Sequence, residues 1–564
     1  MAMREFLWST FTGLFFFCNP AFSQGILITD YFLYTSMDEI HYSGFLPDTS
    51  TVYLAAELVN ENNHIIQRQK IRSRYGHFTG SFDPGEKLAT GLYWVRIYQP
   101  GAGSGGNFLM YKPLFAIHED DLPGDTEAGT FNGPDAGTGP DDLQPTGNVH
   151  DEFIQLSTLD LTGMDSFILT TDADLYHPGE TVHLTIRDLS TRIKPGQKMI
   201  VKAVGLDLAD SSSYGDLPDI TFTSHTDHFD DTANNILSLS GRYLNPRTGR
   251  PRMNYGVTVS RLGSQGFFRI KSVDRFGNFN FETDDWPEFN TLYISTIEQN
   301  ISGLSVTDSF YRPVNDMPQY SIPVNSVAAI KTFAKEAGMR KILREQYTES
   351  LTTKPEVFIT PVYDTTRVYE KADISYDLSD YIAFQDMEEV AREIMPFVQI
   401  VKKKNRHRFR IVHHRNPYLT KFPLFFLNGK PTRDAELVLG LDISQVQIID
   451  VLYMPETLKP FGLSGFGGVM AIYTLEPVQV PNCLTLNYQG LRREVGKPDQ
   501  LPNPEVPDLS PVIYWEPEVE MQDGKIEISF PLNNILSDVR ITAAGMDSNG
   551  NILQVEKVIH IIKE

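Results

Sequence analysis

Cysteine is nearly absent from this sequence, in which Cys18 and Cys483 are the two cysteines among 564 residues. Two cysteines cannot supply a disulfide framework or a paired-cysteine zinc site, so packed cores must hold the folded domains together. The zinc-protease motif H-E-x-x-H is missing as well. After the first 25 residues no apolar run reaches the roughly 20 residues that a membrane-spanning helix requires.

Positive charge is also scarce. The sequence has 49 Lys and Arg against 72 Asp and Glu, which gives a formal net charge of −23. An acidic surface repels a phosphate backbone, so we do not expect nucleic acid as a partner. The hydrophobic fraction of 41% excludes global disorder, and the length predicts about three to five domains.

Residues 1–23 predict a signal peptide. Arg4 precedes an apolar segment, Phe6–Phe17, that is too short to span a bilayer, and Ala21–Ser23 forms a cleavage site of the A-x-A kind. The mature chain is then expected to begin near Gln24 as an exported protein with one cysteine. A buried N-terminal helix is the alternative interpretation.

Residues 24–118 predict a β-sandwich, because short alternating or apolar runs are separated by Asn, Gly and Pro. Within them, Gly80-Ser81-Phe82 followed by Gly91–Arg96 (GLYWVR) resembles the macroglobulin-like domains of the alpha-2-macroglobulin group. Residues 119–163 are acidic and rich in Gly, Pro and Thr, which predicts a flexible linker.

A second β-rich block is predicted for residues 164–320. Its opening, from Thr171-Asp172 to Tyr176-His177-Pro178-Gly179-Glu180, resembles the start of another macroglobulin-like domain, and residues 207–233 predict a long loop. A helical apolar spacing predicts a connector helix across 321–352 that packs against a neighbouring domain. The strand runs of residues 481–564 predict a separate C-terminal sandwich.

Residues 353–480 predict a small α+β domain. A capping box of Asp386 and Glu389 begins a helix over Asp386–Met395. The pattern that follows predicts this order: strand Leu424–Leu427, tight turn Asn428-Gly429, helix Asp434–Leu439, strand Val446–Tyr453, glycine-rich loop Pro460–Gly468, and strand Gly468–Thr474.

This order resembles the plug domain of TonB-dependent outer-membrane receptors. The preceding phrase DLSDYIAFQDMEEVAREIMPFV, residues 377–398, resembles a segment of secreted Gram-negative proteins that join macroglobulin-like domains to a plug-like domain. The predicted fold class is therefore a mainly β, multidomain protein: macroglobulin- or immunoglobulin-like sandwiches plus a small α+β plug-like domain. The resemblance implies a location in the periplasm or at the outer membrane.

Enzyme motifs are not supported by their context. Gly101–Gly106 satisfies G-x-G-x-x-G, but another strand follows where a phosphate-binding helix is needed. A macroglobulin thioester requires Cys-Gly-Glu-Gln, whereas Leu484 follows Cys483. We therefore predict a non-enzymatic protein without catalytic residues, cofactor or metal. A hydrolase with an unrecognised site in residues 164–320 is an alternative.

The plug resemblance implies a partner at the outer membrane, either a β-barrel or another envelope protein. A 22-stranded receptor barrel needs well over ~250 residues, and about 85 residues follow position 480. We therefore expect any occluded barrel to belong to another chain. The predicted partner-binding residues lie in the tight turn and the glycine-rich loop: Asn428, Gly429, Lys430, Pro431, Pro460, Phe461, Gly462, Gly465, Gly467 and Gly468.

One dense basic segment, KKKNRHRFRIVHHR, interrupts the acidic sequence. It predicts a β-hairpin whose cations could bind phosphates or an acidic partner. The predicted anion-binding residues are Lys402, Lys403, Lys404, Arg406, Arg408 and Arg410. Two alternatives remain at this stage: a solvated hairpin that binds nothing, and an envelope module that binds glycans or proteins without any pore partner.

Overall fold

A computed structural model of the chain describes residues 25–46, 52–100, 109–122, 153–157, 167–188, 197–206, 220–224, 237–253, 255–262, 266–283, 286, 289–308, 310–311, 314, 317–320, 322, 326–351, 367–403, 406–414, 416, 419, 421–492, 507–547 and 552–562. The structure is mainly β, as predicted, with several sheets and few helices. None of the described helices is long and apolar enough to cross a membrane. The predicted signal peptide and residues 123–152 lie outside the described residues.

Residues 26–117 form a two-sheet sandwich, called the first sandwich. One sheet has the order β1-β3-β6, the other contains β5-β4-β7-β8, and β2 pairs parallel to β8. Alternate side chains of both sheets fill the space between them, as the period of two requires. The strands are β1 (Ile26–Thr29), β2 (Leu33–Thr35), β3 (Ile40–Phe45), β4 (Tyr53–Asn60), β5 (Ile65–Arg72), β6 (His77–Phe82), β7 (Gly91–Tyr98) and β8 (Leu109–Ile117).

Two later strands extend the large sheet of the first sandwich. β14 pairs with β8 and with β9, and the Thr221 hydroxyl donates a hydrogen bond to the Leu27 carbonyl at 2.8 Å. The sequence predicted a linker at 119–163 and a loop at 207–233, so each of these segments contains a strand that was missed. The strands of this part are β9 (Phe153–Ser157), β10 (Phe167–Thr171), β11 (Leu175–Tyr176), β12 (Thr181–Asp188), β13 (Lys198–Gly205) and β14 (Ile220–Ser224).

Residues 237–308 form most of the inner sandwich, with sheets β18-β15-β20 and β17-β16-β19. Trp286 is buried between them and packs on Phe267, with the ring centroids 4.9 Å apart. The strands are β15 (Ser238–Tyr243), β16 (Gly256–Arg261), β17 (Phe267–Ser272), β18 (Asn278–Glu282), β19 (Phe289–Thr296) and β20 (Leu304–Thr307).

The predicted connector helix is confirmed as α1 (Ser326–Leu351). Its buried side chains, Ile330 and Phe333 among them, pack on Phe32 and Phe115 of the first sandwich. The helix therefore joins the inner sandwich to the next part of the chain while lying against the first sandwich.

Residues 367–480 form a compact α/β unit. Its five-stranded sheet has the order β21-β26-β27-β24-β25, in which β24 and β27 are parallel, and β22 and β23 form a separate hairpin. The elements are β21 (Ile374–Asp377), α2 (Met387–Glu393), β22 (Val398–Lys403), β23 (Arg406–Ile411), β24 (Leu424–Leu427), β25 (Lys430–Thr432), α3 (Ala435–Leu439), β26 (Val446–Leu452), α4 (Pro455–Leu458) and β27 (Val469–Thr474).

Local signals in this unit act as predicted. The Asp386 carboxylate accepts a hydrogen bond from the Glu389 amide at 2.8 Å, and the Glu389 carboxylate accepts one from the Gln385 amide. The order of strand, turn, helix and two strands is confirmed. Other elements differ from the prediction. Residues 459–467 form 3₁₀ turns with a kink at Gly462 rather than a loop, and the short strand β25 and the short helix α4 were not predicted.

The last strands do not form a sandwich of their own within the described residues. β28 pairs with β19 and completes the inner sandwich, while the other four pair with β10–β13. The resulting outer sandwich, residues 167–206 with 507–562, has sheets β10-β12-β30 and β11-β32-β31-β13-β29. The boundaries predicted at 320 and 481 are therefore corrected. The strands are β28 (Leu484–Gln489), β29 (Val512–Glu520), β30 (Lys525–Pro531), β31 (Val539–Met546) and β32 (Ile552–Ile561).

The outer sandwich repeats the first sandwich strand by strand. Its sheet β10-β12-β30 matches β1-β3-β6, and β11-β32-β31-β13-β29 matches β2-β8-β7-β4-β5. In the first sandwich, residues 61–64 connect β4 to β5. The corresponding connection between β13 and β29 runs from residue 206 to residue 511 and contains the inner sandwich and the α/β unit. The domains are therefore nested rather than consecutive.

A hydrogen-bonded corner recurs in both copies. In each, a tyrosine hydroxyl and a histidine amide donate to the same carboxylate oxygen of an aspartate. The matching pairs are Asp30 with Asp172, Tyr34 with Tyr176, and His41 with His183, all with the same separation along the sequence.

The two aspartates of this corner differ in burial, and their pKa values differ accordingly. Asp30 is buried in the first sandwich, and burial raises its pKa to about 6 against the smaller opposing effects of His41, Tyr34 and Lys202. Asp172 is exposed, and the hydrogen bond from Tyr176 lowers its pKa.

Asp30→Asn should therefore stabilise the protein at neutral pH. Because the folded-state pKa of Asp30 lies above its unfolded value, its contribution is fully present below about pH 4 and is lost as the pH rises through about 6. A shift of about two units corresponds to about 3 kcal/mol. Urea unfolding from pH 4 to 8 should show the variant gaining on the wild type across this window. Asp172→Asn is the matched control and should not gain; an equal gain would contradict the assignment.

Candidate binding surface

The turn Asn428–Pro431, predicted as a partner contact, faces the chain's own inner sandwich. Asn428 and Gly429 have positive φ, as the turn requires. The Gly429 carbonyl accepts a hydrogen bond from the Ser260 hydroxyl at 2.9 Å, and a methyl group at Gly429 would overlap the Leu262 side chain. Gly429 and Pro431 are buried. The turn is thus an internal contact between the two units, which corrects its prediction as a partner surface.

Lys430 is also engaged internally. Its ammonium group donates to the Val478 carbonyl at 2.9 Å and lies 5.4 Å from the centre of the Tyr293 ring. It therefore helps to fix the α/β unit against the inner sandwich.

The glycine-rich 3₁₀ turns, residues 459–467, contribute both to the interior and to the surface. Phe461 is fully buried and packs on Phe268 and Phe426, with ring centroids 5.5 and 5.6 Å apart. Gly465, Gly467 and Gly468 are buried as well, whereas Pro460 and Gly462 are exposed.

The glycines mainly allow close packing. A methyl group at Gly467 would overlap the backbone carbonyl of Phe422, and Gly462 adopts a φ of 48° that a side chain would strain. The side chains presented to solvent are instead Leu463, 68% exposed, and Phe466, 44% exposed. Sequence reasoning missed both, although each is an apolar residue between glycines.

Arg433 holds the neighbouring segments together. Its guanidinium group donates to the Phe422 carbonyl at 2.9 Å and to the Ser464 carbonyl at 3.0 Å. The segment around Phe422 and the 3₁₀ turns are therefore fixed relative to each other, which keeps Leu463 and Phe466 in place.

The predicted basic hairpin is confirmed as β22 and β23. Alternate residues of β23 point in opposite directions, so Phe409 and Ile411 are buried while Arg406, Arg408 and Arg410 are exposed on the outer face. Phe409 packs edge-on against Phe425 of the central sheet, with ring centroids 5.2 Å apart. Packing of the inner face thus fixes the direction of the three arginines.

The other predicted anion-binding residues differ from these arginines. Lys402 lies near Glu436 of α3, whose pKa is lowered by hydrogen bonds from His407 and, to a smaller extent, by the charge of Lys402. The side chains of Lys403 and Lys404 lie outside the described residues. Of the six predicted anion-binding residues, Lys402 is thus close to a carboxylate, and the three outer-face arginines are the described candidates for binding an anion.

These arginines are continuous with the exposed apolar side chains. The Arg408 guanidinium lies 4.9 Å from the centre of the Phe422 ring, and the Lys421 ammonium lies 5.7 Å from that of Phe466. Phe422 is itself 44% exposed. We call the set the basic–aromatic face. Its members are Arg406, Arg408, Arg410, Lys421, Phe422, Leu463 and Phe466.

Other reactive groups of the α/β unit have structural surroundings. Burial raises the pKa of the Cys483 thiol to about 12, which leaves it protonated. Asp450 is fully buried, accepts a hydrogen bond from Tyr369 at 2.6 Å and pairs with Arg367 at 3.1 Å, which anchors the entering chain to β26. Among the described residues, no three His, Cys, Asp or Glu side chains are placed to hold a metal ion.

No protein-family model matches the sequence, and a search of curated proteins finds no significant relative. Solved structures give low-scoring overlaps with bacterial alpha-2-macroglobulins. The Salmonella protein reacted with methylamine is 9% identical with a TM-score of 0.23, covering 95% of this chain and 39% of that one. The native Escherichia coli protein is 9% identical with a TM-score of 0.24, covering 96% and 40%.

A tandem repeat from the extending region of a large adhesion protein also overlaps, at 8% identity and a TM-score of 0.13, covering 95% of this chain and 98% of that one. The chain spans about two fifths of the length of the macroglobulin structures. The fold described above rests on the strand pairing itself, not on these overlaps.

Proposed function

We propose that this protein is a non-enzymatic, exported scaffold of the cell envelope whose α/β unit engages an outer-membrane protein and could occlude a barrel belonging to that partner. The observation that carries the proposal is the pair of exposed apolar side chains, Leu463 and Phe466, on rigid glycine-rich turns. Exposed apolar side chains that lie close together and are held in place are typical of protein contacts. The sequence resemblance to plug domains supports the choice of partner.

The nested domains suit a presenting role. The α/β unit is attached to the inner sandwich by hydrogen bonds. The Ser295 hydroxyl donates to the Asn482 carbonyl at 2.7 Å, and the Ser260 hydroxyl donates to the Gly429 carbonyl in the turn. The inner sandwich is in turn held at the first sandwich, where the buried Lys70 ammonium donates to Asp308 at 2.7 Å. The sandwiches thus hold the unit at several points.

Photocrosslinking tests this function directly. A photoreactive residue in place of Lys459, which is exposed at the start of the 3₁₀ turns with a φ of −51°, should trap one predominant outer-membrane protein in whole cells, identified by mass spectrometry. Leu463→Asp/Phe466→Ser should reduce that adduct at least about tenfold, because two apolar anchors are lost from the contact. Met253→Asp/Phe276→Ser is the control, since both side chains are exposed on the inner sandwich. Equal loss in both variants, or no outer-membrane adduct, would overturn the proposal.

A second candidate is binding of an envelope glycan without a pore partner. A polar groove of about 540 Å³ on the inner sandwich favours it, since its lining offers several donors and acceptors: Arg242, Lys271, Asp274, Asn278 and Asn280. Isothermal titration with envelope glycans separates the two, because this candidate predicts binding that Leu463→Asp/Phe466→Ser leaves unchanged.

A further inference from the structure

The three outer-face arginines are positioned for a planar array of anions. They occupy alternate positions of one strand, which places the Cα atoms of neighbouring arginines about 7 Å apart along β23. Within the described residues, none of the three forms an ion pair with a carboxylate of the chain. Because the opposite face of the hairpin is buried, the arginines cannot turn inward to find one.

The exposed apolar side chains of the basic–aromatic face indicate that its ligand has an apolar part as well as an anionic one. Phe422, Leu463 and Phe466 are exposed beside Arg408 and Lys421. A soluble anion would pair with the cations but leave these side chains in water. The interface of a bilayer satisfies both groups, because phosphates bind the arginines while apolar side chains enter the boundary with the acyl chains.

The net negative charge of the protein does not prevent binding to an anionic lipid surface. The whole chain carries −23, but at physiological ionic strength screening acts over about 8 Å, so a headgroup senses mainly the local cations. The basic–aromatic face is a local excess of positive charge, and the charge complementarity is with an anionic surface.

We propose that the basic–aromatic face docks the protein on an anionic lipid surface, with Arg406, Arg408 and Arg410 on lipid phosphates and Phe422 inserted shallowly between headgroups. Leu463 and Phe466 then lie at the boundary of the bilayer, where a membrane-embedded partner can contact them. This docking concerns the same unit as the proposed function and would place that unit beside a membrane-embedded partner. It does not require the partner, so vesicles can test it independently.

The test is co-sedimentation of the full-length mature protein with vesicles of phosphatidylglycerol and phosphatidylethanolamine, compared with phosphatidylcholine vesicles, at about 0.15 M salt. Each basic residue near an anionic surface strengthens binding about fivefold, so Arg406→Gln/Arg408→Gln/Arg410→Gln should weaken it by about 100-fold. The control Arg247→Gln/Arg250→Gln/Arg275→Gln removes the same charge from exposed positions of the inner sandwich and should bind as the wild type does.

Circular dichroism and thermal unfolding establish that both triple variants fold. The proposal is overturned if the wild type does not bind anionic vesicles, binds neutral vesicles equally well, or is weakened equally by both triple variants. It is also overturned if the hairpin variant retains vesicle binding but loses the photocrosslinked adduct at position 459, because the arginines would then bind a protein. Vesicle binding that depends on the hairpin, without any protein adduct, supports the lipid surface while removing the proposed protein partner.

Discussion

Truncation of the chain after residue 506 should unfold the strands of 167–206, although they precede the cut by 300 residues in the sequence. β12 pairs with β30 from Thr181 to Arg187, and β13 lies between β29 and β31. The core of the outer sandwich is drawn from both sides of the cut, including Leu184, Val201 and Ile541. Without residues 507–562, β13 loses both of its neighbouring strands, β12 keeps only its pairing with β10, and both strands lose most of their apolar contacts.

Limited proteolysis measures this effect. Cleavage within 167–206 should rise from undetectable to rapid in the truncated protein, while the first sandwich stays resistant. The complementary experiment joins residue 206 to residue 511 through an Asn-Gly turn, which replaces the inserted connection by a short one like residues 61–64. The joined outer sandwich should unfold cooperatively. Protection of 167–206 in the truncated chain would contradict the nested arrangement.

Glu57→Ala should cause a large loss of stability in the first sandwich. Glu57 and Arg96 are both almost fully buried, and the Glu57 carboxylate accepts hydrogen bonds from Arg96 and from the Tyr98 hydroxyl. Removal of one partner leaves a buried unpaired guanidinium group, at a cost of about 3–5 kcal/mol in the free energy of unfolding.

Urea unfolding measures the loss, and two variants interpret it. Glu57→Leu/Arg96→Met replaces the ion pair by apolar side chains of similar size and should recover most of the stability. Glu527→Ala removes one partner of an exposed pair with Lys525 and should change the midpoint little. If Glu57→Ala unfolds at the wild-type urea concentration, the ion pair does not contribute as its burial implies.

Local features of the fold could be predicted from the sequence because each depends on a few neighbouring residues. Three features depend only on residues that are close together in the sequence: the Asp386 capping box, the positive φ at Asn428-Gly429 and the alternation through β23. The nesting could not be predicted in this way, since the partner of β13 is chosen by long-range pairing. The separation between Asp30 and Tyr34 along the sequence equals that between Asp172 and Tyr176. This repeated spacing is the sequence signal from which the two sandwiches could have been aligned.

The candidate binding surface also combines features that the local sequence predicts with features that depend on long-range packing. Alternation in β23 is sufficient to place Arg406, Arg408 and Arg410 on one face. The prediction for Asn428–Pro431 was wrong because only the packing of Ser260 and Leu262 decides that this turn points inward. Leu463 and Phe466 were missed because the pattern drew attention to the glycines, whose role is to let these turns pack closely.

The long connection between β13 and β29 has a consequence for biogenesis. During synthesis, β10–β13 emerge long before the strands that complete their two sheets, with unpaired strand edges that favour aggregation. Closing so long a loop is entropically cheap only once the inserted domains have folded and brought its ends together. We therefore expect the outer sandwich to assemble after the inner sandwich and the α/β unit, so that β10–β13 stay exposed until β29–β32 have been made.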